Sequence, residues 1–141
     1  MPGDGDRLER VERLLAEVLR RLERLESILS GVDAEEARIA TRIAVEFSLP
    51  AYAAVKAAAR IASALHRLSA EPGGYDDLDT AIIEVLAVEG PQTLRSLERR
   101  VRTVRGRASR RIIRERVARL EQLGLVRVER DGRGLRISLA L

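Results

Sequence analysis

The stretch SRRIIRERVARLEQLGLVRVERDGRGLRISL (residues 109–139) changes its hydrophobic period half-way along. Its first part carries apolar residues at every third or fourth position and arginines on the opposite face, as an amphipathic helix does. After Gly124, apolar and polar residues alternate in two short runs, which is the pattern of half-exposed β-strands. The runs are separated by Asp131-Gly132-Arg133-Gly134, a sequence typical of a hairpin turn. The stretch therefore predicts a helix over residues 109–123 followed by a basic β-hairpin.

Two further helices are predicted upstream of this stretch. Three aspartates within residues 76–79 begin the first, where acidic side chains complement the helix dipole, and Gly90-Pro91 ends it. Thr93 is the expected N-cap of the second helix, over about residues 94–102. A polar, basic turn over residues 102–108 then leads to the third helix.

Three helices followed by a basic hairpin are the order of a winged helix-turn-helix. The junction Arg119-Leu120-Glu121-Gln122-Leu123-Gly124-Leu125-Val126 resembles the helix-to-strand junction of that superfamily, in particular the MarR- and ArsR-like regulators of bacteria and archaea. The resemblance covers residues 76–141. It implies that the third helix enters the major groove of DNA and that the hairpin, the wing, lies on the backbone or in the minor groove.

This sequence supplies side chains suited to both tasks. Arg110, Arg111 and Arg114, near the start of the third helix, are expected to reach base edges. Ser109 and the helix N-terminus can hold a phosphate. Glu115 could accept a hydrogen bond from cytosine, but an ion pair with an arginine of the same helix is the preferred interpretation. The remaining candidates for phosphate or minor-groove contacts are Arg105, Arg107, Arg130 and Arg133.

The charge distribution also favours a polyanionic partner. The formal net charge is only +4 at pH 7, and residues 1–70 carry 11 basic and 11 acidic side chains. Residues 90–141, in contrast, hold 15 arginines against five acids. Such a local excess is the electrostatic footprint of a nucleic-acid-binding surface. Double-stranded DNA is favoured over single strands, since no aromatic residue for base stacking lies in this basic region.

An oligomerisation helix is predicted near the start of the chain, over residues 8–32. Apolar residues are spaced there alternately by three and four, as at the a and d positions of a coiled coil. They are Leu8, Val11, Leu15, Val18, Leu22, Leu25, Leu29 and Val32. Leu14 and Leu19 widen the stripe, so a helical bundle is an alternative to a two-stranded coil. The chain is therefore expected to associate with itself, as a homodimer or a higher oligomer.

The predicted fold class is mainly α with a small β-hairpin: an N-terminal coiled coil or helical bundle followed by a winged helix-turn-helix. Two more helices are expected between these parts, over residues 34–48 and over the alanine-dense residues 51–69. Glu71-Pro72-Gly73-Gly74 is the strongest interruption of the pattern. The predicted division is a helical coiled-coil oligomerisation arm over residues 1–70, a linker over residues 71–75 and a winged-helix DNA-binding domain over residues 76–141.

Enzymatic activity is not expected, and neither a cofactor nor a metal is predicted. The chain has no cysteine, and its single histidine, His66, lies in the alanine-dense helix with no nucleophile or metal-ligand pattern around it. No apolar run approaches the length of a membrane span, and the first residues lack the pattern of a signal peptide. A cytoplasmic, nucleoid-associated location is expected. The preference for arginine, with Lys56 as the sole lysine, fits an archaeal or thermophilic source or GC-rich coding.

Three functions fit these features. The favoured function is a sequence-specific transcriptional regulator that binds double-stranded DNA as a homo-oligomer. An architectural chromosomal protein would use the same arginines on phosphates with little reading of bases. A protein-assembly adaptor would instead pack the winged helix on another protein. A second helix-turn-helix over residues 39–61 is disfavoured because that region has no basic face, and no small-molecule effector is indicated.

Overall fold

A computed structural model of the chain describes residues 3–141, apart from the side chains of Ile28 and Leu29. Within that part the chain is mainly helical and carries one small antiparallel sheet, which confirms the predicted fold class at this level. The elements are α1 (Asp4–Leu29), α2 (Ala34–Glu46), α3 (Ala51–Ser69), α4 (Asp77–Glu89), β1 (Gln92–Thr93), α5 (Leu94–Arg105), α6 (Arg110–Gln122), β2 (Val126–Asp131) and β3 (Gly134–Leu139).

The chain divides into two compact units, one that ends at Asp33 and one formed by Ala34–Leu141. The structure therefore groups α2 and α3 with the C-terminal elements, whereas the sequence pattern assigned them to an arm over residues 1–70. Residues 71–75, the predicted linker, connect two helices that pack on each other, α3 and α4. The physical reason is the run of small residues on α3, which lets that helix approach its neighbours closely. A sequence pattern cannot distinguish such a surface from an interface between subunits.

A single hydrophobic core runs through the second unit, from α2 to the sheet. The helix α4 has the longest continuous buried segment, because every residue from Ala81 to Leu86 is buried. Large side chains that are almost completely buried include Ile43, Ile61, Leu68, Ile82, Ile83, Leu97, Ile113, Leu120 and Ile137. This core fixes the orientation of α5, α6 and the hairpin, and so decides which of their side chains face solvent.

A capping box begins α4, as the acidic cluster at this position predicts. The backbone N–H of Asp79 donates to Oδ1 of Asp76 at 3.0 Å, and the backbone N–H of Asp76 donates to Oδ2 of Asp79 at 3.2 Å. Two backbone donors that a helix start leaves without partners are satisfied in this way. Both aspartates also form ion pairs with arginines of α6, so the cap is at the same time a tertiary contact.

The turn between α5 and α6 is shorter than the sequence suggested. The helix α5 continues to Arg105 because Val101 and Val104 both pack against the core, and only residues 106–109 separate it from α6. Gly106 ends α5 with a φ of +94°, a conformation that residues with a side chain rarely adopt. The predicted start and end of α6 are confirmed to within one residue: Ser109 is its N-cap and Leu123 its C-cap.

The sheet contains a strand that the sequence did not reveal. β2 and β3 form the predicted antiparallel hairpin, in which Asp131 pairs with Gly134 across the turn. β1 pairs with the other edge of β3, with Gln92 opposite Ile137, and the strand order is β1-β3-β2. A strand of two residues has no alternation for a sequence pattern to display. It exists only because the hairpin packs beside the start of α5.

Candidate nucleic-acid interface

The helix α6 presents a basic face because its other face is anchored in the core. Ile113, Val117 and Leu120 are buried and determine the rotation of the helix about its axis. At its start, the hydroxyl oxygen of Ser109 accepts a hydrogen bond from the backbone N–H of Ile112 at 3.2 Å. The predicted phosphate ligand Ser109 is therefore an N-cap, and its hydroxyl proton is the group left to donate to a partner.

The helix α6 is also held from one side by two arginines that bind elements outside the basic region. Arg116 donates to both aspartates of the capping box. Arg119 donates to the carbonyl oxygens of Gly74 at 2.9 Å and Pro72 at 3.4 Å. Arg119 is one of the arginines that the helical period places opposite the apolar face of α6. In the structure its side chain instead links α6 to the connection from α3 to α4.

Arg110 has a buried partner. Its Nε donates to Oε2 of Glu98 on α5 at 2.9 Å, and Glu98 is only 2% exposed, whereas the side chain of Arg110 is 56% exposed. No hydrogen bond of its two terminal amino groups is found among the described residues. The other carboxylate oxygen of Glu98, Oε1, is buried without a hydrogen-bond partner in the same set. Of the three arginines predicted to reach bases, this one is the most restricted.

Arg111 and Arg114 differ in what holds them. Nε of Arg111 donates to Oε1 of Glu115 at 3.2 Å, one helical turn away, which confirms the interpretation of Glu115 as a partner within the helix. Both side chains are largely exposed, and such pairs add only a few tenths of a kcal/mol. The side chain of Arg114 is exposed and has no hydrogen bond or ion pair within the described chain. It is therefore the α6 arginine that is most available to a ligand.

The turn before α6 and the hairpin carry the remaining candidates. Arg105, Arg107, Arg130 and Arg133 are exposed, and the described structure records no hydrogen bond or ion pair of their side chains. The tip of the hairpin is ordered by an internal hydrogen bond, since the backbone N–H of Arg133 donates to the side-chain oxygen Oδ1 of Asp131 at 2.8 Å. The hairpin thus holds its arginines at a defined position without using their charges.

A cleft of about 250 Å³ brings several of these residues together. Arg110 and Arg114 of α6 line it with Arg133 from the hairpin turn, and α5 adds Arg95 and Glu98. We call it the basic cleft. Four arginines and one glutamate line it, so its lining carries an excess of three formal positive charges. Arg105, Arg107, Ser109, Arg111 and Arg130 do not line it.

Arg95 and Glu98 are the two charged residues of the basic cleft that the sequence-based candidates lacked. Glu98 had a detectable signal: together with Leu94, Leu97 and Val101 it falls on the core-facing stripe of α5, where a carboxylate needs a cationic partner. Arg95 is exposed, one turn before Arg99, and nothing in its spacing separates it from that residue. Only the position of the hairpin places it at the cleft.

An apolar groove of about 380 Å³ lies on the other side of Arg114. It runs between α6 and the sheet, and Val117 and Ala118 face Val128 and Leu135 across it. Glu121 and Arg114 flank this apolar surface. The groove suits a protein partner better than a nucleic acid, because it presents few charges or hydrogen-bond donors.

Comparison with models of protein families, with curated protein sequences and with solved structures finds no match to this chain. The residues that the structure describes include no group of three or more His, Cys, Asp or Glu side chains placed to hold a metal ion. None of the described helices combines the length and the apolar character needed to cross a membrane.

The predicted oligomerisation residues, apart from Val32, lie on α1, in the first unit. Leu8, Val11, Leu15, Val18 and Leu22 are between 49% and 61% exposed, and Leu25 is 36% exposed. Val32 is half-buried, beyond the end of the helix, and the side chain of Leu29 lies outside the described part of the chain. Leu14 and Leu19 are exposed beside these residues. A helix that keeps this much apolar surface in water is stabilised when that surface is covered.

Proposed function

We propose that this chain is a double-stranded DNA-binding transcriptional regulator that acts as a homo-oligomer associated with the nucleoid. The observation that carries the proposal is the set of exposed arginines on α6 and the adjoining hairpin, of which Arg114, Arg130 and Arg133 have no side-chain partner in the described structure. Buried arginines in a protein are normally satisfied by partners, and exposed arginines concentrated on one helix and one hairpin repel one another until an anion binds. The order of helices and strands from α4 to β3 agrees with the winged helix that the sequence resembles.

In this proposal α6 lies in the major groove, whose width of about 12 Å admits an α-helix. Arg114 and Arg111 reach base edges, and Ile112, which is 43% exposed, meets a thymine methyl group. The hairpin follows the neighbouring backbone or minor groove with Arg130 and Arg133. Phosphate contacts by the exposed arginines of the turn before α6, and by the hydroxyl of Ser109, fix the register of the protein on the duplex.

Self-association through α1 suits this mode of binding. A single module of this size makes a small contact with DNA, and two linked modules convert a second weak contact into an intramolecular one. A two-fold oligomer would read two half-sites, in the way that paired helix-turn-helix proteins read palindromes. The proposed regulator is therefore a dimer or a higher even-numbered oligomer.

The test is selection of sites from a pool of genomic duplex fragments by the whole chain, at two salt concentrations. The variant Arg111→Ala/Arg114→Ala is selected in parallel, because neither residue holds the fold. Its matched control is Arg10→Ala/Arg20→Ala on α1, which removes the same charge. Recovery of a few palindromic sites that are lost in the first variant and kept in the control supports a regulator.

Two other outcomes point to the alternatives. Tight, salt-sensitive binding with no sequence preference would indicate an architectural chromosomal protein, because phosphates and not bases would then carry the affinity. Absence of binding at low salt would contradict both DNA-binding functions. The apolar groove beside α6 is the observation that favours the remaining candidate, a protein-assembly adaptor, and Ala118→Glu in that groove would then abolish capture of the protein partner.

A further inference from the structure

The basic cleft has the composition of a site for one phosphate group. Arg95, Arg114 and Arg133 come from three different elements and have no partners in the described structure, yet they converge on the same cleft. Three unpaired guanidinium groups held around a common space repel one another, and an anion with several acceptor oxygens relieves that repulsion. A volume of about 250 Å³ accommodates a phosphate with its ester oxygens.

Arg110 differs from the other three arginines of the cleft, because its side chain is held by Glu98. With Nε bound to buried Glu98 at 2.9 Å, the guanidinium plane is fixed, and its two terminal amino groups are left to donate. Arginine can serve two acceptors at once because its donors lie on separate edges of one rigid plane. Glu98 is thus placed to act as a positioning residue for Arg110, and it remains buried while it does so.

We propose that the basic cleft binds a phosphate group through Arg95, Arg110, Arg114 and Arg133, with Glu98 as the positioning residue. The inference rests on the proposed function for the source of the phosphate. If α6 occupies a major groove and the hairpin the adjoining minor groove, the sugar–phosphate strand between these grooves has to cross the space between α6 and the hairpin. That space is the basic cleft. Arg110 and Arg114 then contact the backbone here instead of base edges, so that Arg111 and Ile112, further round the helix, remain for the reading of bases.

The first measurement is the salt dependence of binding to a short mixed-sequence duplex. The full chain is compared with Arg95→Ala/Arg114→Ala/Arg133→Ala, and the charge-matched control is Arg10→Ala/Arg20→Ala/Arg24→Ala on α1. If the cleft holds one phosphate and these three substitutions remove its contact, the slope of log K against log salt falls by about one unit per protomer. Contacts with three separate phosphates would reduce it by nearly three, and no reduction beyond that of the control would exclude a phosphate in the cleft. Either of these results overturns the proposal.

A second measurement separates the two sources of phosphate. Inorganic phosphate is titrated into the DNA-free chain while the arginine Nε–H resonances are followed. Weak binding that the triple variant loses, together with the slope change, assigns the cleft to the DNA backbone. Tight binding of inorganic phosphate, lost in the triple variant and without a slope change on DNA, would assign it to a free phosphate compound. No response in either experiment overturns the site.

The role of Glu98 is tested by Arg110→Lys. Lysine keeps the charge but has a single ammonium group, which cannot bind Glu98 and also present a second planar edge to phosphate. We expect Arg110→Lys to weaken duplex binding about as much as Arg110→Ala, on the order of tenfold, and to lose less when Glu98→Gln is also present. Wild-type affinity for Arg110→Lys would overturn the positioning role. Thermal unfolding of each variant shows whether the fold is intact.

These outcomes keep the two proposals distinguishable. A wild-type chain that binds no duplex contradicts the proposed function, and the inorganic phosphate titration then decides on the cleft alone. A wild-type chain that binds duplex while the cleft variant and its control behave alike contradicts the cleft and leaves the proposed function in place.

Discussion

Arg116 of α6 donates from Nη1 to Oδ2 of Asp79 on α4 at 3.2 Å, and thereby joins the exposed basic helix to the most buried helix of the fold. Asp79 is 1% exposed, and its second oxygen, Oδ1, has no hydrogen-bond partner in the described structure. The same arginine binds Oδ1 of Asp76 at 2.6 Å. A buried carboxylate that depends on one neighbouring helix for its counter-charge couples the stability of the two helices.

Arg116→Ala is expected to lower the free energy of unfolding by about 1–3 kcal/mol, because it leaves a buried carboxylate short of a partner. Part of the charge is still compensated, since Nη1 of Arg119 lies 3.6 Å from Oδ2 of Asp79. Urea unfolding followed by circular dichroism measures the change. Arg111→Ala, on the exposed side of the same helix, is the control and should cost no more than about 0.5 kcal/mol. Equal effects of the two changes would contradict this account.

Acid should weaken the capping box through Asp76. Partial burial tends to raise the pKa of this carboxyl, but hydrogen bonds from Arg116 and the backbone N–H of Asp79 outweigh it and lower the pKa from 3.8 to about 2. Because the folded pKa lies below the unfolded one, the stabilisation is complete above pH 4–5 and is lost as the pH falls towards 2. Unfolding free energies between pH 5 and pH 2 should fall more steeply for the wild type than for Asp76→Asn, which keeps an N-capping side chain. Asp77→Asn, with no recorded hydrogen bond to its side chain, should follow the wild type.

Glu84 of α4 has the opposite pH dependence. Burial raises the pKa of this carboxyl above 4.5, although Arg42, which donates to it, opposes the change, and the carboxylate of Glu46 adds to it. Since the folded state then holds its proton more strongly than the unfolded state, Glu84 destabilises the fold as the pH rises through the raised pKa. Glu84→Gln should gain roughly 1 kcal/mol at neutral pH, and this gain should vanish below pH 4.5.

The control for Glu84 is Glu71→Gln in the connection between α3 and α4, an exposed carboxylate outside any helix, which should leave stability unchanged at both pH values. A loss of stability for Glu84→Gln at neutral pH would mean that the pair with Arg42 gains more than the burial of its carboxylate costs. Thermal unfolding at neutral and acidic pH distinguishes these outcomes.

Self-association should depend on the heptad face of α1. Leu15→Glu/Leu22→Glu places charges at two a positions that are 57% and 49% exposed in the single chain, and should convert the protein into a monomer. Sedimentation equilibrium gives the mass directly. Arg20→Glu, at an outer position of the same heptad, should leave the oligomer unchanged. A monomeric wild type would contradict the coiled coil, and with it the proposal that a two-fold oligomer reads two DNA half-sites.

Much of the fold could be predicted because its signals are local. The start of α6 at Ser109, its end before Gly124 and the Asp131–Gly134 turn follow from capping and turn preferences within a few residues. The apolar spacing within residues 109–123 likewise predicted the buried face of α6. Local signals of this kind can be interpreted without the rest of the chain, because the physical interactions that produce them span one or two helical turns.

What the tertiary structure decided is which elements and which charges meet. The boundary after Asp33 and the strand β1 both depend on packing between segments that are distant in sequence. Among arginines that look alike along the chain, Arg110 and Arg116 have buried acidic partners on other helices, whereas Arg114 is left unpaired. The sequence determined that the C-terminal part would be basic, with a helix and a hairpin to display the charge. Only the fold could determine which guanidinium groups stay available, because desolvation makes a buried carboxylate hold the arginine that packing brings beside it.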